Sequence, residues 1–326
     1  MSDINKEPFK FTGNGADFFR IWIVNILLTI ITLGIYSAWA KVRTKSYFYG
    51  NTWLQSNSFA YMASPIAILK GRLIAVGFIF VASAVSDLYP SFGWLMGLFI
   101  LSIIPWLFCR SLRFNALNSS YRNIRLNFTG NWLEAFMAFG VWPLFGFLSL
   151  GLLIPEALKK QQSFIISNSC YGTTSFSFDV PSSSFYKLFI TTIGLMIFGG
   201  LLTFIAFYIP IISFLLGWPI YLAIFAYFRA HLFNLTYGGS MLGQHGFEPS
   251  MTTSGVGWLY FSNMVMMTFT LGLFYPWAKV RAAHYMANSL SAKLTGPLDQ
   301  FVAAETDRIG ALGEEMGEMF DLDIGL

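Results

Sequence analysis

The chain has 326 residues, of which 55% are hydrophobic, 18% aromatic and only 11% charged, with a formal net charge of +4. Its mean hydropathy is +0.58, whereas soluble domains carry roughly 25% charged residues. An ordinary soluble globule is excluded, and so is a disordered chain, because 35 Phe, 15 Tyr and 10 Trp are more apolar surface than an unfolded chain keeps in water.

Met1 to Phe11 carries Lys6, Glu7, Pro8 and Lys10 and no apolar run ending at a small-residue cleavage site, so no signal peptide is expected. A helix needs about 20 mostly apolar residues to cross about 30 Å of hydrocarbon. Five windows meet that need by lacking Lys, Arg, Asp and Glu: 21–40, 73–109 (interrupted only by Asp87), 135–155, 188–228 and 249–278. Two of them are too long for one helix and divide at turn signals, Asp87-Leu88-Tyr89-Pro90 and Ile209-Pro210, where proline disfavours helix at the residue before it. The expectation is an all-α polytopic membrane protein with about seven hydrophobic segments. The stretches Ser46 to Ser64 and Ser163 to Ser184 alternate aromatic and small polar residues, as in Phe176-Ser177-Phe178, which suggests short strands in the cytoplasmic loops.

Sliding the sequence along itself reveals a tandem repeat. At an offset of 117, Phe11-Thr12-Gly13 meets Phe128-Thr129-Gly130, Leu33-Gly34 meets Leu150-Gly151, Asn51 meets Asn168 and Phe59 meets Phe176. At an offset of 238, Thr32-Leu33-Gly34 meets Thr270-Leu271-Gly272, and Trp39-Ala40-Lys41-Val42-Arg43 meets Trp277-Ala278-Lys279-Val280-Arg281. The unit is a segment plus a helical hairpin. The domains read as a first membrane repeat (1–122), a second (123–240), a truncated third (241–298) and an acidic tail (299–326).

If every segment crosses, the 20 Lys and Arg divide 7 on one face and 13 on the other; if the segment opening each unit dips in and returns, all 20 fall on one face. The positive-inside rule favours the second arrangement, and transporters built of inverted three-span units favour the first. Gly34 and Gly272 suit a return turn.

Thr32-Leu-Gly-Ile-Tyr-x-x-Trp-Ala-Lys-Val-Arg43, the following Tyr47-Phe48-Tyr49-x-Asn51-Thr52 and Leu69-Lys70-Gly71-Arg72 resemble the YjgN-like family of bacterial inner-membrane proteins, from about Phe9 to Leu290. The middle unit departs from the pattern, with Glu156-Ala157-Leu158-Lys159-Lys160 in place of the Trp and the Lys-Val-Arg. The resemblance implies an inner-membrane location and several transmembrane helices, and no activity, the family being one of unknown function.

Lys41, Arg43, Lys279 and Arg281 stand where apolar segments end beside aromatic residues, as headgroup anchors do; they serve as anchors alone or as a site for anionic lipid. Arg110 and Arg229, equivalent cations at hairpin exits, either mark the interface or face a polar cavity. Asn25 and Asn263, with Trp142 at the matching middle position, either hydrogen-bond between helices or line a solute path. Glu134 and Glu156 bracket the middle segment, as wet ends or as titrating groups of a proton-coupled carrier.

No catalytic motif appears, and no metal or cofactor site is expected from two Cys, 109 and 170, and three scattered His, 231, 245 and 284. An isoelectric point near 9.0 reflects membrane-flanking cations, so no nucleic acid is expected. From Asp299 onward the chain holds eight of its 16 acidic residues against one Arg, and Ile309, Leu312, Met316 and Met319 follow helical spacing. That amphipathic helix is expected in the cytoplasm, docked on the basic face of its own or a neighbouring chain or holding a protein partner. Beside the lipid bilayer as its surroundings, two functions fit: a transporter or channel-like protein for a small or lipidic solute, or a non-transporting scaffold that uses the tail.

Overall fold

In a computed structural model the described residues are 4–89, 93–205 and 210–322, with side chains undescribed at 100, 205, 210–216 and 311–322. The four connections between the five helical hairpins are pairs of short strands, and with one strand before the first hairpin and one after the last they close a barrel. Its strands are β1 (Ile4–Phe11), β2 (Thr52–Leu54), β3 (Asn57–Tyr61), β4 (Ser119–Tyr121), β5 (Ile124–Phe128), β6 (Ser169–Tyr171), β7 (Thr174–Phe178), β8 (Ser240–Leu242), β9 (His245–Pro249) and β10 (Leu290–Thr295). Neighbours run antiparallel in the order β1-β10-β9-β8-β7-β6-β5-β4-β3-β2, and β2 pairs with β1 to close the ring. β1 is long enough to serve two partners, Ile4 to Pro8 against β10 and Phe9 to Phe11 against β2. Closure removes the free edges that strands this short would otherwise expose. The turns have the chemistry that two-residue hairpins require: Arg122 and Asn123 both take positive φ (49° and 65°), and Gly172 and Gly243 do so at 60° and 58°.

Two long helical hairpins rise from this barrel: α3 (Pro65–Leu88) with α4 (Gly93–Leu117), and α8 (Ser182–Ile205) with α9 (Pro210–Gly238). Among the described residues α3, α4 and α8 are long and apolar enough to cross a membrane. Apolar side chains lie exposed all round them, as on Ile74, Val76, Phe78, Ile79, Phe80 and Val81 of α3, a surface that suits hydrocarbon and not water.

Three shorter hairpins have a common design. The first is α1 (Gly15–Ile31) with α2 (Ser37–Gly50). The second is α5 (Trp132–Phe136), a π turn (Met137–Val141) and α6 (Trp142–Leu148), followed by α7 (Ile154–Ser167); the third is α10 (Thr253–Phe269) with α11 (Tyr275–Asn288). Pro143 has no N–H to donate back along the helix, and the π turn accommodates it. Asn14, Asn131 and Thr252 cap the three starts with side-chain oxygens on the backbone N–H of Asp17, Glu134 and Gly255. The three returns are also alike: Leu33, Leu150 and Leu271 take φ of 50°, 54° and 49°, and the next glycines take 93°, 94° and 89°. Each glycine N–H bonds five residues back, to Thr29, Gly146 or Met267, which satisfies an otherwise orphaned carbonyl. Leu33, Leu150 and Leu271 are 94%, 95% and 94% exposed, so each tip holds a leucine fully clear of the protein. The helices pack as a ring, each on the next, with α1 returning to α11.

An all-α fold with about seven hydrophobic segments is therefore overturned. The ten-stranded barrel replaces the expected loops, and three candidate spans replace seven among the described residues. The windows 21–40, 135–155 and 249–278 each contain a turn and so are divided between helices. The short strands expected in 46–64 and 163–184 form as β2, β3, β6 and β7, whereas the other strands of three to five residues hold too few periods of two to register in sequence. Of the expected long-hairpin turns, Pro90 and Ile209 lie outside the described residues. The tail forms α12 (Leu298–Leu322), and the side chains of Leu312, Met316 and Met319 also lie outside them.

Candidate functional site: the barrel cavity

A cavity of about 580 Å³ occupies the barrel interior. Alternation along the strands turns side chains inward, and seven of these are rings. Phe176 stacks on Phe247 at 6.3 Å, Phe247 on Phe9 at 6.5 Å, Phe9 on Phe59 at 6.3 Å and Phe59 on Tyr121 at 4.7 Å, forming a band around the wall. Tyr171, 6.3 Å from Tyr121, and Phe301, 6.0 Å from Tyr171, carry the band to the floor. Leu54, Leu126, Leu242, Ala292 and Leu294 fill the intervening wall. These two phenols do not offer polarity to the interior, since Tyr121 donates to the Leu54 carbonyl at 2.9 Å and Tyr171 to the Tyr121 carbonyl at 3.2 Å. Burial pushes the pKa of both upward, so both stay neutral.

The roof, on the side of the helical hairpins, consists of helix ends, with Phe48 and Tyr49 of α2, Phe233 and Tyr237 of α9, and Ala283, Met286 and Ala287 of α11. The floor is the start of α12. Leu298 is buried there, Phe301 meets Tyr171 and His245, and Val302 packs against the same core. Two polar ties fix this helix to hairpin turns. Arg122 pairs with Asp299, and the fully buried Glu305 accepts from the backbone N–H of Thr173 and Thr174 and from the Thr174 hydroxyl at 2.8 Å. Burial alone would raise the Glu305 pKa; the Thr173 and Thr174 bonds outweigh it and hold the carboxyl below its ordinary value of 4.5. His245, 8% exposed, is the one titratable base on the cavity wall. Its Nδ1 accepts from the Thr295 N–H at 3.2 Å, and burial lowers its pKa.

A family model described as "Bacterial protein of unknown function (DUF898)" matches residues 6–319. The chain belongs to that family. Among curated relatives of this family member, Inner membrane protein YjgN of Escherichia coli O157:H7 is 28% identical over 239 residues, 63% of this chain and 59% of the relative. The protein of the same name from Escherichia coli strain K12 gives the same 28%, 63% and 59%. The one from Salmonella typhimurium strain LT2 is 33% identical over 127 residues, 39% of this chain and 32% of the relative. The chain thus spans about three-fifths of the length of the Escherichia coli relatives, 59%. No solved structure matches it.

The residues singled out in sequence lie outside the cavity wall. Asn263 sits between α10 and α11: its Nδ2 donates to the Ala278 carbonyl at 3.4 Å, and its Oδ1 accepts from Arg281 at 2.7 Å. Asn25 makes the matching bond to the Ala40 carbonyl at 3.5 Å, but its buried Oδ1 has no partner, and Arg43 points outward. In the middle hairpin Lys160 lies 5.5 Å over the Trp142 ring, so a cation meets the same position through a π face. Lys279 lies over Tyr275 at 5.2 Å, and Lys41 is exposed. Arg110 and Arg229 are exposed on the hairpins, Arg110 5.4 Å over Trp106. Glu134 receives the Asn131 amide at 2.8 Å, and Glu156 lies 4.0 Å from Lys160. Among the described residues no three of His, Cys, Asp and Glu come together as a metal would need.

Sequence reasoning missed the ring band and His245. The signal was present in the aligned positions Phe9, Leu126 and Phe247, and Phe59 and Phe176, apolar at every occurrence and all on the cavity wall.

Proposed function

We propose that this is a multi-pass protein of the bacterial inner membrane, built from tandem units, that receives a lipidic solute into its barrel as a carrier or channel-like protein and performs no catalysis. The observation carrying this reading is the cavity of about 580 Å³ with its apolar, ring-lined wall. Small-molecule sites range over roughly 300–1,000 Å³, and an apolar cavity of about 150 Å³ already takes a benzene. The apolar sheath of the long hairpins and the leucine tips of the short ones support a membrane setting in which the former cross and the latter dip in and return. The barrel then lies on the cytoplasmic side, because residues 73–109 and 188–228 contain no Lys or Arg. The scaffold reading has less support, since the first turns of α12 pack on the chain's own barrel.

The test is binding of the fluorescent apolar probe N-phenyl-1-naphthylamine to the full chain in nanodiscs. Binding above that of bare nanodiscs, abolished by Leu126→Trp, which fills the cavity, is the expected result. Equal binding by bare nanodiscs, or by a folded Leu126→Trp variant, would overturn the reading.

A further inference from the structure

Apart from its tyrosine phenols and the Thr52 hydroxyl, the cavity wall is apolar with one exception. His245 opens β9, is 8% exposed and stands edge-on to Phe301 at 4.9 Å. Because Nδ1 accepts from the Thr295 N–H at 3.2 Å, the ring is held as the tautomer that carries its proton on Nε2. Among the described residues nothing accepts from that second nitrogen. The Tyr121 and Tyr171 phenols are committed to backbone carbonyls, and Tyr49 and Tyr237 stand at the roof. Near the floor the cavity therefore offers a ligand one hydrogen-bond donor, and no Lys or Arg lines it.

We propose that His245 is a specificity-determining residue that donates from Nε2 to a single uncharged acceptor, a hydroxyl or carbonyl oxygen, at one end of an otherwise apolar, chain-like ligand. This rests on the reading of the barrel as a lipidic binding site and names the head group it selects. The absence of a cation decides the charge: burying a carboxylate or phosphate against a neutral imidazole costs far more than one hydrogen bond returns, whereas a hydroxyl or carbonyl loses little. A ligand with no acceptor would leave the buried N–H unmatched, and sites of that kind discriminate strongly against the analogue that lacks the group.

Competition in nanodiscs distinguishes the cases, with hexadecane, hexadecan-1-ol and palmitate each displacing N-phenyl-1-naphthylamine from the full chain. The alcohol should displace the probe about tenfold better than hexadecane or palmitate, a factor in keeping with one buried hydrogen bond. His245→Phe, which keeps a ring against Phe301, should still bind the probe but lose the alcohol's advantage over hexadecane. His245→Gln, which restores an N–H donor, should recover part of it. The inference is overturned if palmitate competes best, if the alcohol is no better than hexadecane, or if its advantage survives His245→Phe. If either variant fails to bind the probe, the wild-type ranking of the three competitors decides alone. Failure of the wild-type chain to bind the probe at all refutes the underlying reading instead.

Discussion

The two ends of the barrel are closed by different means. At the membrane end Phe48 is held from behind by Phe18, which is 1% exposed and lies 4.8 Å from it, and Phe18 also stacks on Tyr47 at 5.3 Å. The elements there are the hairpins themselves, so the roof cannot leave without the fold. At the other end one helix, α12, rests on the rim through Phe301 and is tied by Asp299 to Arg122 and by Glu305 to the turn at Thr173 and Thr174. Apart from Leu298, Phe301 and Val302 in its first turns, it is held by polar ties to turns. Permanence at the roof and detachability at the floor follow from where the apolar contacts are concentrated.

Substitutions at the two ends should separate these behaviours. The largest effect is expected at the roof: Phe18→Ala removes a fully buried ring and should cost about 3–5 kcal/mol, lowering the melting temperature of the whole chain in detergent. Glu305→Ala leaves two backbone N–H groups and a hydroxyl unpaired and should cost about 2–3 kcal/mol. That loss should appear as faster hydrogen exchange confined to residues 298–310, with the barrel's exchange unchanged; loss of protection throughout would show that floor and roof form one unit.

Acidification should act in the same place. The folded-state pKa of His245 lies below 6.5, so the undocked state takes up the proton first, and stability falls as pH drops through 6.5 toward the lower value. Glu305, held below 4.5, stabilises above that pH and loses its contribution as pH falls through its depressed value. Limited proteolysis of α12 should therefore accelerate from pH 7.5 to 5.5 and again below 4.5, and the first step should vanish in His245→Phe. The smallest effect is expected from Asp299→Asn, below about 1 kcal/mol, because that carboxylate is 85% exposed and its ion pair is screened by water.

Part of this architecture was legible in the residues. The charge-free windows marked where apolar helices lie, and the Thr-Leu-Gly runs marked turns that the φ values of Gly34 and Gly272 now explain. The barrel was not legible, because a strand such as Thr52–Leu54 carries a single alternation and its partner may be as far away in sequence as β10 is from β1. The candidate site was misplaced for a related reason. A buried amide such as Asn263 stands out in an apolar stretch, yet it serves helix packing, whereas a wall of Phe and Leu is indistinguishable in sequence from membrane-facing surface. His245 reads in sequence only as one of three scattered His, because nothing near it indicates that Thr295, 50 residues away, fixes its tautomer.

The central claim is that the barrel holds a lipidic molecule. Native mass spectrometry of the full chain released from nanodiscs tests it most directly, alongside Ala292→Trp, which places an indole on the inner wall. One lipid-sized mass retained per chain in the wild type and missing from the folded variant is the result this account requires; a bare wild-type chain, or equal retention by both, would contradict it.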